Sequence, residues 1–290
     1  MSQSSPTPRS LPVAFTGARG AYSQRATQRV FGPGTPTLTC NGVVDAVRAL
    51  QDGRAGHAVL PVENTVTGSF PGVAEAFFQG EVAVVGEVEL AIRHCLLAVP
   101  GARLDELAVV TSHPSALAQC RDTLRQWEVA TRPSSDTGQA AGELARGGDR
   151  ALGVLGSREL AETYGLEVLA EGLSDRPHNH TRFFVLSPAA GLRDDGLRSA
   201  ALLGPIQAPR TLKTLRIQLE SLGASRVRVP FLGSEDGSRF LIEWDQRSGA
   251  AREVVADALA SVPHRFLGSW NPPISAAVRA SDNGVRSRVG

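Results

Sequence analysis

Between Leu11 and Pro188 short apolar runs of strand length alternate with amphipathic stretches of helix length, a pattern that confines the chain to a parallel or mixed sheet covered by helices. Strands are expected at residues 12–16, 37–40, 57–62, 82–88, 93–99, 108–111, 128–131, 151–155 and 182–186. Helices are expected at 21–31, 42–51, 71–79, 114–126, 137–146 and 158–164. Pro100-Gly101 breaks the run, which divides it into two α/β blocks. The stretch after Pro188, with Gly191 and paired aspartates, has linker composition. From Leu197 the order becomes strand, helix (211–222), strand (226–232), strand (239–244), helix (250–261), strand (265–270). That βαββαβ order is the ferredoxin-like pattern. The expected fold class is therefore α/β, with a domain at 11–188, a ferredoxin-like domain at 197–272, and a disordered tail at 273–290 without periodicity.

The 290 residues are enough for two domains, each with its own core. A formal net charge of +1, with no Lys/Arg run, argues against a nucleic-acid binder but leaves a small anion open as ligand. Lys213 is the single lysine among 30 basic residues, and arginine suits bidentate carboxylate recognition. Cys40, Cys95 and Cys120 form no CxxC or Cys/His cluster, so buried free thiols and no metal are expected. No apolar run reaches membrane-spanning length and the N-terminus has no apolar signal region, which points to a cytoplasmic protein without a membrane partner.

Polar loops follow the expected strands, where α/β folds present ligands to open helix N-termini. The first is Thr16-Gly17-Ala18-Arg19-Gly20-Ala21-Tyr22-Ser23, whose glycines permit close backbone approach. The second, Glu63-Asn64-Thr65-Val66-Thr67-Gly68-Ser69, pairs a carboxylate with an amide that both donates and accepts; it also suits an Asx-type turn. In the third, Ser112 or His113 caps a helix opened by Pro114, which leaves Gln119 unexplained. Ser134-Ser135-Asp136-Thr137 caps the next helix. Finally, Thr181-Arg182-Phe183 sets a hydroxyl and a fixed cation where a polar turn, Asp175 to His180, runs into a strand. A solvated Arg182, or an Arg182 in a structural ion pair, accounts for the cation equally well.

Taken in order, Glu63-Asn64, Gly68-Ser69, Ser112-His113-Pro114 with Gln119, Asp136-Thr137, Tyr164-Gly165-Leu166 and Thr181-Arg182-Phe183 resemble the prephenate dehydratase family, over roughly 13–187. The resemblance implies a periplasmic-binding-protein-like pair of lobes with the active site in the cleft between them, and a catalytically essential threonine at Thr181. It implies a reaction that expels carbon dioxide and water from prephenate to give phenylpyruvate, driven by aromatisation and needing no cofactor. Arg182, and N–H groups of the helix starts near Gly20, Gly68 and Pro114, would hold the carboxylates. Thr181 would polarise the leaving hydroxyl or pass a proton from Glu63, with Asn64, Ser112 and Gln119 fixing the substrate. Phe183, Tyr22, Ser23, Thr65, Gly68, Ser69, Asp136 and Thr137 complete the expected binding residues. Ala21 departs from the family's usual threonine, and Asn64-Thr65 from its usual Asn-Ser. An arogenate dehydratase would use the same loops, and a non-catalytic binding protein would share the fold.

The segment 197–272 falls where this family carries an ACT domain, a module that pairs across a dimer and often binds phenylalanine. Leu267-Gly268-Ser269-Trp270 resembles the family's terminal strand. The ligand motifs differ: Pro209-Arg210-Thr211-Leu212 stands for a Gly-Ala-Leu turn after proline, and Val227-Arg228-Val229-Pro230 for Glu-Ser-Arg-Pro. The expectation is a homodimer or homotetramer with weakened or lost phenylalanine feedback.

Overall fold

The computed structural model describes residues 11–70, 72–193, 195–206, 209–229, 239–246, 259–260 and 262–271. Three sheets organise them. The first runs β2 (Thr37–Cys40), β1 (Val13–Thr16), β3 (His57–Asn64), β11 (His180–Pro188), β5 (Val82–Ala91), with β4 (Gly68–Ser69) paired to β3. The second runs β10 (Glu167–Glu171), β6 (Cys95–Ala98), β9 (Leu152–Gly156), β7 (Val109–Ser112), β8 (Ala130–Pro133). Each is mixed: β1 lies parallel to β2 and β3, while β11 is antiparallel to β3 and β5. Helices α1 (Tyr22–Phe31), α2 (Val43–Gln51) and α3 (Val73–Gln79) accompany the first sheet. Helices α4 (Pro114–Gln119), α5 (Arg121–Gln126), α6 (Thr137–Gly147) and α7 (Arg158–Tyr164) accompany the second. Each sheet is the spine of one lobe.

The chain crosses between lobes twice, through Ile92-Arg93-His94 and through residues 172–179. These crossovers are tied together, Ile92 N–H donating to the Asn179 carbonyl at 2.8 Å and Leu173 N–H to that of His94 at 3.1 Å. Glycine lets the lobes close on one another. A Cβ on Gly20 (φ 83°) would stand 2.6 Å from Leu160 Cδ2 of the opposite lobe, and one on Gly138 2.7 Å from Ala18 Cβ. Gly20, expected to let a ligand approach, instead lets α7 approach.

The third sheet runs β13 (Ser225–Arg228), β14 (Phe240–Asp245), β12 (Arg198–Leu203), β15 (His264–Trp270), with α8 (Pro209–Ser221) between β12 and β13. Read as the four strands of a βαββαβ unit, this is the order 2-3-1-4 of a ferredoxin-like domain. Strand alternation makes it two-sided. Ala200, Leu202, Leu241 and Leu267 join the core of the first lobe, while Ala201, Leu203, Ile242 and Trp244 pack with Leu215 and Leu219 of α8. Phe184 of β11 meets Trp270 edge-on, with centroids 5.4 Å apart, so the first lobe and this sheet share one apolar core.

The expected strand at 93–99 begins at Cys95, leaving Arg93-His94 on a crossover. The helix expected at 114–126 breaks at Cys120, whose backbone (φ −120°, ψ 19°) leaves the helical region and whose thiol is buried in the second lobe's core. Strands β4 and β10 were not anticipated; both are short, and β10 is flanked by glutamates. The helix expected at 250–261 falls outside the described residues apart from 259–260, and the tail at 273–290 falls wholly outside.

Candidate active site

A cleft of about 920 Å³ opens between the lobes, lined by the ends of β1 and β2, the starts of α1, α2, α4 and α6, and one face of β11. On that face Asn179, Thr181 and Phe183 occupy alternate positions of extended chain, the spacing that puts side chains on one side. Thr181 and Phe183 line the cleft. Arg182 and Phe184 face the opposite way, towards the third sheet.

The hydrogen bonds around Thr181 fix their own direction. Asn64 Oδ1 accepts from the backbone N–H groups of Val66 at 2.9 Å and Thr67 at 3.0 Å, so the other terminal atom of that amide is nitrogen. Asn64 Nδ2 lies 2.9 Å from Thr181 Oγ1, 2.8 Å from Asn179 Oδ1 and 3.0 Å from the His180 carbonyl. A nitrogen that only donates makes Thr181 Oγ1 the acceptor. The hydroxyl hydrogen of Thr181 therefore points away from Asn64 and is available to a ligand.

Asn179 Nδ2 donates to Gln119 Oε1 at 2.6 Å and His94 Nε2 to the same oxygen at 2.8 Å. With its carbonyl doubly engaged, Gln119 turns its NH₂ group to the cleft it lines. His94 is buried and neutral, because burial pushes its pKa below the ordinary imidazole value against the Gln119 hydrogen bond that raises it.

On the first lobe, Tyr22 and Ser23 open α1 at the cleft wall, and their backbone N–H groups have no partner among the described residues. The Tyr22 hydroxyl donates to the Arg93 carbonyl at 2.7 Å, and burial raises its pKa far above the ordinary phenol value, so it stays protonated. Ser23 shares a hydrogen bond with Thr16 at 3.0 Å. Among the described lining residues Arg19 is the one arginine or lysine, and it has no ion-pair partner among the described residues. Asp136 and Thr137 line the wall opposite. The Asp136 carboxylate caps α6, accepting from Gly138 N–H at 2.7 Å and Gln139 N–H at 3.1 Å, and from Ala18 N–H of the other lobe at 3.3 Å. That helix start is occupied by the chain's own carboxylate.

Several expected residues lie elsewhere. Arg182 is not in the cleft: it donates twice to Glu243 of β14, at 2.5 and 2.6 Å, and lies 3.4 Å from both Glu87 and Glu63 and 4.9 Å from the Phe184 ring centre. Burial works to lower its pKa, but the Glu243 bonds and the surrounding carboxylates outweigh this and hold it above the ordinary value. Glu87 is raised by burial, against the pull of Arg198 and Arg182. Glu63 shares that face, accepting from Arg228 at 2.6 Å, so it stands on the wrong side of the sheet to hand Thr181 a proton. Period-2 alternation explains both corrections.

Ser112 is buried and donates to the Leu155 carbonyl at 2.8 Å, tying β7 to β9; His113 Nδ1 is the α4 cap, accepting from Ser115 N–H at 3.2 Å. Thr65 bridges the Glu63 loop to the crossover, donating to the His178 carbonyl at 3.0 Å and accepting from His180 N–H at 2.9 Å. Gly68 and Ser69 form β4 against β3 rather than cleft wall. His94, Asn179 and Arg19 were missed as site residues. The Asn-x-Thr-x-Phe alternation ahead of β11 would have disclosed Asn179; nothing in the sequence marks His94 except a polar residue breaking an apolar run.

The cleft and its walls define a two-lobed α/β protein with a polar cleft between the lobes. The family model for prephenate dehydratase matches residues 13–190. The chain belongs to the prephenate dehydratase family. It is 40% identical over 179 residues to arogenate dehydratase 1 of Petunia hybrida, covering 61% of this chain and 42% of that one. A structure of prephenate dehydratase in complex with L-Phe from Arthrobacter aurescens superposes with a TM-score of 0.75 and 28% identity over 90% of each chain. GqqA, described as a novel type of quorum quenching acylase, superposes with a TM-score of 0.74 and 28% identity, over 89% of this chain and 97% of that one. The matched region spans about half the length of the curated relatives, 42% and 45% of the two from Petunia hybrida and 56% of arogenate dehydratase/prephenate dehydratase 1 of Arabidopsis thaliana.

Proposed function

We propose that this chain catalyses the decarboxylating dehydration of prephenate to phenylpyruvate, carbon dioxide and water. In that reaction the bond from ring carbon to hydroxyl breaks, the bond from ring to carboxylate breaks, and the electron pair released from the carboxylate completes the aromatic ring. One proton must reach the departing hydroxide. The observation that carries the reading is the Thr181 hydroxyl, buried at the cleft wall and held as acceptor from Asn64, with its hydrogen unengaged among the described residues. A hydroxyl so fixed donates a hydrogen bond to the leaving oxygen as negative charge grows there, and a positioned donor contributes about 10² to 10⁴ in rate. Thr181 is a poor acid. It orients and polarises, and the proton comes from solvent or substrate rather than from Glu63, which faces away.

The carboxylates are assigned to the Gln119 amide, the unpartnered N–H groups opening α1, and Arg19. The ring stacks on the Phe183 and Pro61 wall. Arogenate, which carries an ammonium in place of the side-chain keto group, fits the same scheme, and the name of the Petunia relative supports it as a second substrate. An acylase would need a base to take the threonine proton, and Asn64 Nδ2 cannot accept one, so that reading has less support. Purified protein given prephenate forms phenylpyruvate, and given arogenate forms phenylalanine; absence of both products contradicts the reading.

The third sheet is assigned as an ACT-type domain that pairs subunits into a homodimer or homotetramer. Phenylalanine feedback is weakened in this assignment: Arg228, in the segment where the family motif differs, pairs with Glu63 of the first lobe at 2.6 Å. Titrating phenylalanine against turnover tests it, and cooperative inhibition at low phenylalanine contradicts it.

A further inference from the structure

The two crossovers between lobes each contribute one buried polar side chain to a single chain of hydrogen bonds. It runs from Thr181 and Asn64 on the first lobe, through Asn179 on one crossover, to Gln119 on the second lobe, where His94 on the other crossover joins. Its heavy-atom separations lie between 2.6 and 2.9 Å, and all five residues are buried. Each link has one allowed direction. Backbone donors set Asn64, Asn64 sets Asn179, Asn179 sets Gln119, and the Gln119 carbonyl selects the Nε2-protonated tautomer of His94.

We propose that Asn179 and His94 are positioning residues that register the two halves of the active site, so that the Thr181 hydroxyl and the Gln119 amide present hydrogens to one ligand at once. The inference rests on the dehydratase reading for the reaction it serves. Were Asn179 rotated, two like groups would meet, Nδ2 against the donating Asn64 Nδ2 and Oδ1 against Gln119 Oε1. The orientation is therefore held from both lobes. Because Asn179 and His94 sit on the two segments that join the lobes, any change in lobe angle would separate Thr181 from Gln119 only by breaking this chain. His94 Nδ1 is buried without a partner among the described residues, so the ring is held through Nε2 and its edge contact with Tyr22, 5.8 Å between centres. The mechanism uses neither side chain directly, and a misplacement of about 1 Å at the reacting groups costs on the order of 10²-fold in rate.

A double-mutant cycle on turnover separates positioning from mere support of the fold. Asn179→Ala is expected to lower kcat by about tenfold to a hundredfold while KM changes less than about threefold. In a Thr181→Ala background the same substitution costs clearly less than in the wild type, because part of its effect passes through that hydroxyl and the rest through Gln119. Asn179→Asp, which keeps the acceptor for Asn64 but sets oxygen against Gln119 Oε1, gives the same cycle should the alanine variant fold poorly. His94→Gln, which keeps an N–H donor, retains more turnover than His94→Leu. Full turnover in Asn179→Ala, or losses that multiply in the double variant, would overturn the proposal. If the wild-type protein turns over neither prephenate nor arogenate, the dehydratase reading fails instead, and the registration is read by imidazole ¹⁵N resonances. A single Nε2-protonated His94 that becomes a tautomer mixture in Gln119→Ala upholds the hydrogen-bond chain, and a mixture in the wild type contradicts it.

Discussion

Thr181 and Arg182 are neighbours in sequence and face opposite environments. On the cleft side of β11 every group is neutral, each hydrogen bond has a fixed direction, and two donors, the Thr181 hydroxyl and the Gln119 amide nitrogen, are left without a partner among the described residues. On the other side Arg182, Arg198 and Arg228 interlock with Glu63, Glu87, Glu243 and Asp245, and the third sheet is clamped to the first lobe. The cleft side keeps donors free for a ligand, whereas the interface commits its charges to paired ions, with Arg182 Nε, Arg265 Nη2 and Trp270 Nε1 the buried donors left without a partner among the described residues there. The difference teaches that a polar motif on a strand is two motifs, one for each face.

The comparison breaks first at Arg182. Replacing it by alanine leaves Glu243 buried without its cation and Glu87 with Arg198 alone, and the expected loss is about 3–5 kcal/mol of stability, read by denaturant unfolding. The pair Arg182→Met with Glu243→Leu costs less than either change alone, because no charge is then stranded. Turnover at saturating substrate in whatever protein remains folded stays near that of the wild type. A selective rise in KM with unchanged stability would return Arg182 to the substrate.

Next comes Arg19, the cation of the cleft wall. Arg19→Ala is expected to raise KM about tenfold, as loss of one charge-assisted hydrogen bond does, with kcat and melting temperature held. A fall in kcat with constant KM would move Arg19 from ground-state binding into the chemistry.

Acidity gives a smaller effect. Burial depresses the folded-state pKa of His94 and of His57, so the unfolded chain takes up these protons first, near the ordinary value of about 6.5. Their contribution to stability is full above that pH and declines as pH falls below it. His94→Gln should flatten part of this slope in unfolding measured between pH 7 and 5. The smallest effect belongs to Ser112. Ser112→Ala loses one buried hydrogen bond to the Leu155 carbonyl, about 1 kcal/mol, and leaves turnover unchanged.

The layout of elements was legible because strand and helix periods differ and glycine, proline and polar clusters separate them. The first two sheets follow the expected strands closely, and β12, α8, β13, β14 and β15 follow the βαββαβ order as far as residues are described. The face of each side chain was legible too, yet Arg182 and Glu63 were assigned by chemistry and not by alternation. What the sequence could not disclose was pairing at long range: that Arg182 meets Glu243, 61 positions away, or that Asn64 meets Thr181, 117 positions away. Such partners depend on how sheets pack, and a hydroxyl, a cation or an amide reads the same in either setting. His94 was hidden for a related reason, since the break between β5 and β6 appears only when two strands are seen to belong to different lobes.

The account depends most on the free hydrogen of Thr181. Steady-state turnover of prephenate, and of arogenate, by Thr181→Val tests it directly, because valine keeps the branched shape and loses only the hydroxyl. The expected result is a fall in kcat of about a hundredfold or more, with KM little changed and an unfolding midpoint close to that of the wild type. Turnover by Thr181→Val equal to that of the wild-type protein would contradict it.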